Sequence, residues 1–252
     1  LPGITSKPPR PDPDGDVSVL LEGIAERWAD VRERVDLACR DAGRDPAGVV
    51  ILPVSKTFDA AAVRAATALG LRRFGENRLQ EVRQKAGPLA DCDIQWVVIG
   101  HLQTNKARDA ARLASEVQSL DRLDLARALD RHLQQEGRAI DVLVQVKTSP
   151  EAEKFGLPPE QLAGFLEELR NFPTLRVGGL MTMAIHSDDP HAVRACFRQL
   201  RQLRDEMQQS GHVLSRLSMG MSGDFPLAIA EGSTEVRIGT AIFGHRAIVD
   251  VP

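Results

Sequence analysis

At 252 residues, 42% of them hydrophobic and 27% charged, the chain has ample material for a buried core and lacks the composition of a disordered or fibrous protein. Its formal net charge of -3 comes from interspersed acids and bases, which leaves no basic stripe for a nucleic acid or an anionic membrane surface. Length permits one barrel-sized domain or two smaller ones, so the internal pattern must decide.

The stretch from Leu1 to Asp16 carries four prolines between Pro8 and Pro13, followed by Gly15. It is expected to be a disordered tail with no helix or strand before Val17. Those prolines also occupy the place of a signal peptide's apolar core, and no run of about 18 apolar residues exists to span a bilayer. Cys39, Cys92 and Cys196 are far apart and odd in number, which fits a reducing cytoplasm better than a disulfide framework or a zinc site.

Apolar residues then recur at spacings of three and four, through Leu20, Leu21, Ile24, Trp28, Val31, Val35 and Leu37 or Ala38. The spacing predicts a helix over Val17 to Ala42, stopped by Gly43. Eight short apolar runs follow: Val49 to Ser55, Arg72 to Gly75, Ile94 to Gly100, Glu116 to Leu120, Asp141 to Val146, Leu175 to Met181, Arg216 to Met219 and Glu235 to Ile238. Helical patterns such as Asp59 to Leu69, Arg122 to Gln135 and Pro159 to Asn171 separate them, while Leu102 to Leu113 reads as an exposed helix. Strands alternating with helices mean parallel strands joined by crossovers. Eight such units without a linker favour an α/β fold of one kind: a single (β/α)8 TIM barrel over 17–252, with the first helix covering the gap between strands eight and one. An open Rossmann-like sheet is the alternative, but its GxGxxG fingerprint after the first strand is absent.

A barrel keeps its active site where the strands end. The first run finishes in Lys56, one of only six lysines against twenty-six arginines. A lysine at a strand end commonly extends its ammonium into solvent. Partly desolvated by apolar neighbours, its amine keeps a neutral fraction and can condense with a carbonyl as a Schiff base. After run seven, Ser218-Met219-Gly220-Met221-Ser222-Gly223-Asp224 turns into a helix around Phe225 to Glu231. After run eight, Gly239 and Thr240 again place a glycine and a hydroxyl at a strand end. Each turn alone is an ordinary helix cap. Together they match the phosphate cradle that barrels build after their last two strands, within reach of a lysine after strand one. A phosphorylated aldehyde would satisfy both.

Val54-Ser55-Lys56-Thr57, Phe74-Gly75-Glu76-Asn77-Arg78-Leu79-Gln80-Glu81 and Ile99-Gly100-His101-Leu102-Gln103-Thr104-Asn105-Lys106 resemble motifs of the pyridoxal phosphate homeostasis protein family, also called the YggS family. So do Ser119-Leu120-Asp121-Arg122, Gly179-Leu180-Met181 and the two glycine turns, in family order from about Val17 to Arg246. The resemblance implies a barrel like the N-terminal domain of alanine racemase, without that enzyme's second domain, carrying pyridoxal 5'-phosphate (PLP) as a covalent imine on Lys56. It further implies that Ser222, Gly223, Gly239 and Thr240 hold the phosphate, that Arg237 faces the pyridine nitrogen and that Asn77 lines the pocket. Two departures stand out: Arg78, where the family often has an aromatic residue, and Lys147, where an asparagine is common.

An arginine at the ring nitrogen disfavours its protonation and so weakens the ring as an electron sink. Its bland counterpart is an arginine that pairs with a barrel acid. Alanine racemase uses a tyrosine as its second base, and this chain contains no tyrosine. His101, His186 and His245 are the replacements on offer, though a lone histidine is more often a surface or hydrogen-bonded residue. No HxH or HExxH pair points to a metal. Three functions follow: a non-catalytic PLP carrier that delivers the cofactor to PLP-dependent apoenzymes, a PLP enzyme such as a weak racemase or transaminase, and a lysine aldolase acting on a sugar phosphate without PLP. The first is preferred, as a cytoplasmic monomer with no catalytic residues of its own.

Overall fold

Helix α1 spans Pro13–Asp41 in the computed structural model, which describes the backbone of residues 13–244 and the side chains of residues 19–244. The tail expected over 1–16 lies outside the described residues as far as position 12. From Pro13 the chain is already helical, earlier than the expected Val17. Proline is tolerated there because the first helical residue has no intrahelical partner for its N–H to lose. Ile24, Val31, Val35 and Ala38 face inward and are buried, whereas Leu37 is exposed. Gly43, with φ +65°, ends the turn that follows.

The remaining elements alternate along the chain: β1 Val50–Pro53, α2 Ala60–Ala68, β2 Arg73–Glu76, α3 Leu79–Ala86, β3 Gln95–Val98, α4 Ala107–Leu113, β4 Ala114–Leu120 and α5 Leu123–Gln135. Then come β5 Ile140–Gln145, α6 Leu162–Leu169, β6 Leu175–Met181, α7 Pro190–Gln209, β7 Arg216–Met221, α8 Phe225–Ala230, β8 Glu235–Ile238 and the short α9 Thr240–Phe243. Strands pair in parallel in the order β1-β8-β7-β6-β5-β4-β3-β2. A parallel bridge between Val54 and Gly75, with the Ser55 N–H donating to Gly75 O at 3.0 Å, brings β1 against β2 and curls the sheet into a barrel. The open-sheet alternative falls with that closure. As expected, α1 lies over the β8–β1 side, packed on α2, α8 and α9, with Arg27 Nε donating to Ile242 O at 2.8 Å.

Inward residues alternate with outward ones along each strand. Leu52, Val54, Val97 and Ile99 form an apolar cluster inside the barrel, apart from the larger core between strands and helices. Gly75 belongs to this inner face, since a Cβ on it would meet Val54, Leu52 and Ile99 at 3.2–3.4 Å. Below the cluster lies a charged plug. Arg73 and Arg216 both reach Glu116 and Glu235, at 2.7–3.2 Å. Burial alone would push the Glu235 carboxyl up, but the Arg216 and Arg73 guanidiniums outweigh it and hold it below the usual carboxylate range. The N-terminal end of the barrel is thus filled, and a ligand has room only at the other end.

Two expectations need correction. The run ends at Ser55 and Gly100 leave β1 and β3 early and enter turns. The segment after β3 is not an exposed helix, because Ala107, Ala110 and Ala111 of α4 are fully buried against neighbouring elements.

Candidate functional site

At the C-terminal end of the strands a cavity of about 260 Å³ is lined by Val54, Lys56, Asn77, Ile99, Met183, Met221, Ser222, Gly223, Arg237, Gly239 and Thr240. Every one of the seven residues expected at a cofactor site borders this single space. Larger hollows of about 550 and 630 Å³ lie outside the barrel, between α3 and α4 and between α5 and α6, and share no lining residue with it.

Arg237 forms the floor. It projects inward from β8 and is buried, with NH1 donating to Ser218 Oγ and NH2 to Thr182 O, both at 2.8 Å. Burial lowers its pKa to about 10, while Glu235 and Asp224 pull the other way, so the guanidinium remains a cation at neutral pH. Among the described residues it makes no direct ion pair; Ser218 links it to Gln118 Oε1 at 2.7 Å and so to the charged plug. The bland reading of Arg237 as one half of a salt bridge is therefore not what the barrel contains.

Two glycine turns form one wall. Gly220 adopts φ +97°, and a Cβ there would come within 2.6 Å of the Ala228 Cβ, so β7 can meet α8 this closely only with glycine. The Asp224 carboxylate accepts the Met221 N–H at 2.6 Å and fixes the loop that carries Ser222 and Gly223. Burial raises the Asp224 pKa, although the Met221 N–H and the Arg237 guanidinium favour its ionised form. After β8, Gly239 leads into α9, where the Ile242 and Phe243 amides donate to Gly239 O at 2.9 and 3.0 Å and those of Thr240 and Ala241, at the start of the turn, have no intrahelical acceptor.

Lys56 follows β1, the strand that pairs with β8, and so stands beside the Gly239 turn. Contrary to expectation it is not desolvated by its apolar neighbours, since its side chain is exposed at the cavity mouth. The chain turns sharply just beyond it. Thr57 has φ +69°, a left-handed conformation that costs a β-branched residue on the order of 1–3 kcal/mol. Its N–H donates to Glu81 Oε2 at 2.6 Å, which holds the turn in place.

Asn77 follows β2 and depends on a close backbone approach from β3. A Cβ at Gly100 would sit 2.2 Å from Asn77 O. Gly100→Ala is accordingly expected to push Asn77 out of line and to lower stability by about 1–3 kcal/mol. Chemical denaturation of the variant beside the parent protein checks the figure, and an unchanged midpoint would contradict it.

Other candidates lie elsewhere. His101 stacks on Phe155 with ring centroids 3.9 Å apart, and burial lowers its pKa; His186 is exposed, and neither lines the cavity. His245 lies outside the described residues. Lys147 donates to Ala152 O within its own loop at 3.3 Å, Arg78 is exposed at the start of α3, and Lys106 borders the α3–α4 hollow. Among the described residues no cluster of three or more His, Cys, Asp or Glu side chains is placed for a metal, and no helix is long and apolar enough to cross a membrane. The sequence reading missed Val54, Ile99, Met183 and Met221, although each sits at or just beyond a strand end.

Comparison with known proteins identifies the family and the fold. Residues 30–247 match the family model described as alanine racemase, N-terminal domain. A protein of Pseudomonas aeruginosa named pyridoxal phosphate homeostasis protein is 45% identical over 226 residues, covering 90% of this chain and 97% of that protein. One of the same name from Aquifex aeolicus is 42% identical, covering 88% and 97%. The structure of PipY from Synechococcus elongatus PCC7942 with PLP bound is 40% identical, with a TM-score of 0.78 over 88% of this chain and all of that one.

Proposed function

This chain belongs to the pyridoxal phosphate homeostasis protein family, and from that premise we propose that it holds PLP on Lys56, in the cytoplasm, for storage and delivery rather than for turnover. The observation that carries the proposal is the meeting, around one cavity of about 260 Å³, of an amine, a buried cation and two hydroxyl-bearing glycine turns. That donor set fits the cofactor's chemistry. Lys56 Nζ supplies the amine that condenses with the aldehyde, with loss of water. Ser222, Gly223, Gly239 and Thr240 receive the phosphate on hydroxyls and backbone amides. Val54, Ile99 and Met183 offer apolar surface to the ring, and Asn77 borders its edge. A relative of 40% identity, PipY, has a structure with PLP bound, which supports PLP as the ligand.

Bound there, PLP supplies a reactive aldehyde and a ring whose electron withdrawal depends on protonation at its nitrogen. Arg237 presents a cation to that nitrogen from a site where Ser218 and Thr182 leave it no freedom to turn away. Two adjacent cations repel, so Arg237 would disfavour a proton on that nitrogen and blunt turnover. The protein then masks the aldehyde from other amines and releases it to PLP-dependent apoenzymes, acting as a monomer. Relatives named for PLP homeostasis weigh against the aldolase alternative.

Titrating the purified protein with PLP tests the proposal. A visible or near-ultraviolet band is expected to saturate, and incubation of the loaded protein with L- or D-alanine is expected to produce neither the opposite enantiomer nor pyruvate. A failure to develop the band would exclude a PLP imine in the cavity, and sustained racemisation would favour the enzyme reading.

A further inference from the structure

Behind the strand end that carries Lys56 lies a buried polar group with no part in the cavity. Glu76 and Ser55 both point outward from the barrel into the layer between β2 and α3, and both are fully buried. Glu76 Oε1 accepts the Ser55 hydroxyl at 2.6 Å and the Lys85 ammonium at 2.6 Å. Lys85, itself buried, also donates to Ser55 O, the carbonyl immediately before Lys56, at 2.8 Å. Its ammonium lies 3.5 Å from Glu81, whose carboxylate takes the Thr57 N–H on the other side of the lysine. Residues 55 and 57 are therefore gripped by three ionisable side chains of a single β2–α3 unit, and Lys56 between them is left free to face the cavity. Glu76 Oε2 has no hydrogen-bond partner among the described residues although it is buried. An orphaned carboxylate oxygen is costly and needs a compensating role.

We infer that Glu76 is a positioning residue, which through Ser55 and Lys85 fixes the turn that presents Lys56 and thereby governs how firmly PLP is retained. The inference rests on Lys56 as the point of cofactor attachment, but the fixing of the turn stands apart from it.

The grip is sensitive to pH. Burial raises the Glu76 pKa to about 7, while hydrogen bonds from Lys85 and Ser55 and the Lys85 charge lower it and the Glu81 charge raises it. An opening of the turn that leaves Glu76 covered by α3 and bonded to Lys85, and takes away only the Ser55 hydroxyl, removes one of the groups that hold its pKa down. The carboxyl of the open turn therefore has the higher pKa, and the closed turn is favoured as pH rises through about 7. The coupling is reciprocal: ionising Glu76 closes the turn, and closing the turn ionises Glu76. A protonated Glu76 offers Ser55 and Lys85 only a neutral acceptor, and hydrogen bonds to an ionised one are roughly twice as strong.

The experiment uses the full chain, free and PLP-loaded, as the parent protein and as Glu76→Gln and Ser55→Ala, between pH 6 and 8. Amide hydrogen exchange at Thr57 and Phe58, corrected for the intrinsic pH dependence, reads the turn; the rate of loss of the PLP band on dilution reads retention. In the parent protein, protection and retention are expected to rise together with a midpoint near pH 7. Glu76→Gln is expected to remove that inflection and to speed exchange at Thr57 roughly tenfold or more at pH 8, the effect of one charge-assisted hydrogen bond. Ser55→Ala removes one hydroxyl, keeps the assay open should Glu76→Gln fail to fold, and is expected to give a smaller loss with the midpoint moved upward. A merely structural role for Glu76 would lower the melting temperature without moving either midpoint. Parent-like protection and pH dependence in both variants would overturn the inference. If instead the adduct trapped by borohydride maps away from Lys56, the cofactor assignment fails while the exchange data still judge the turn.

Discussion

Arg237→Ala is expected to destabilise the fold by about 3–5 kcal/mol, the range for removing one member of a buried charged network. The magnitude follows from what the substitution strands. Thr182 O and Ser218 Oγ each lose a donor, and the carboxylates of Glu235 and Asp224 lose a nearby cation in a site that is only 4% exposed. Arg237→Lys cannot reach both acceptors with a single ammonium and is expected to recover only part of the loss. Urea denaturation of the three proteins measures the effect. A midpoint for Arg237→Ala that matched the parent would mean that the floor of the barrel tolerates its loss. If Arg237→Lys still loads PLP, its ring is expected to retain the parent protein's spectrum, because the cation is kept.

Lys56→Ala has the opposite character. The side chain is exposed and makes no contact on which the core depends, so stability is expected to change by no more than about 0.5 kcal/mol. The covalent attachment, however, is expected to disappear entirely. Phosphate contacts at Ser222 and Thr240 would still allow weak, reversible binding of the cofactor. Equilibrium dialysis is expected to show at least about a hundredfold weaker binding, and the imine band is expected to be absent. Retention of that band would locate the reacting amine elsewhere, with Lys147 and Lys154 as the remaining lysines after β5.

Much of the barrel was legible because its strands are short apolar runs closed by turn residues, and a run such as Leu175 to Met181 has one reading once helices flank it. The site was legible for a related reason. Barrel chemistry collects where strands end, so Lys56, Ser222 and Thr240 could be picked out by their place after a run, whereas Asn77 and Arg237 came only through the family resemblance. The polar interior was not. Arg73, Glu116, Arg216 and Glu235 are far apart in sequence and resemble a solvated surface, yet the curled sheet sets them against one another. One signal was available: Glu116 with Gln118, Arg216 with Ser218, and Glu235 with Arg237 are each two residues apart within a strand and must share a face. The Glu76–Lys85 pair gave no such sign, because one partner ends a strand and the other lies two turns along the next helix. Lys56 was expected to be shielded by apolar neighbours, but a strand-end side chain at an open mouth stays in contact with water.

The central claim is that one lysine at one strand end carries the cofactor, and borohydride reduction of the PLP-loaded protein followed by peptide mass mapping tests it most directly. A reduced pyridoxyl adduct on the peptide containing Lys56, and on no other lysine in proportion to bound PLP, is the predicted result. An adduct spread over several lysines, or none although PLP is bound, would contradict it.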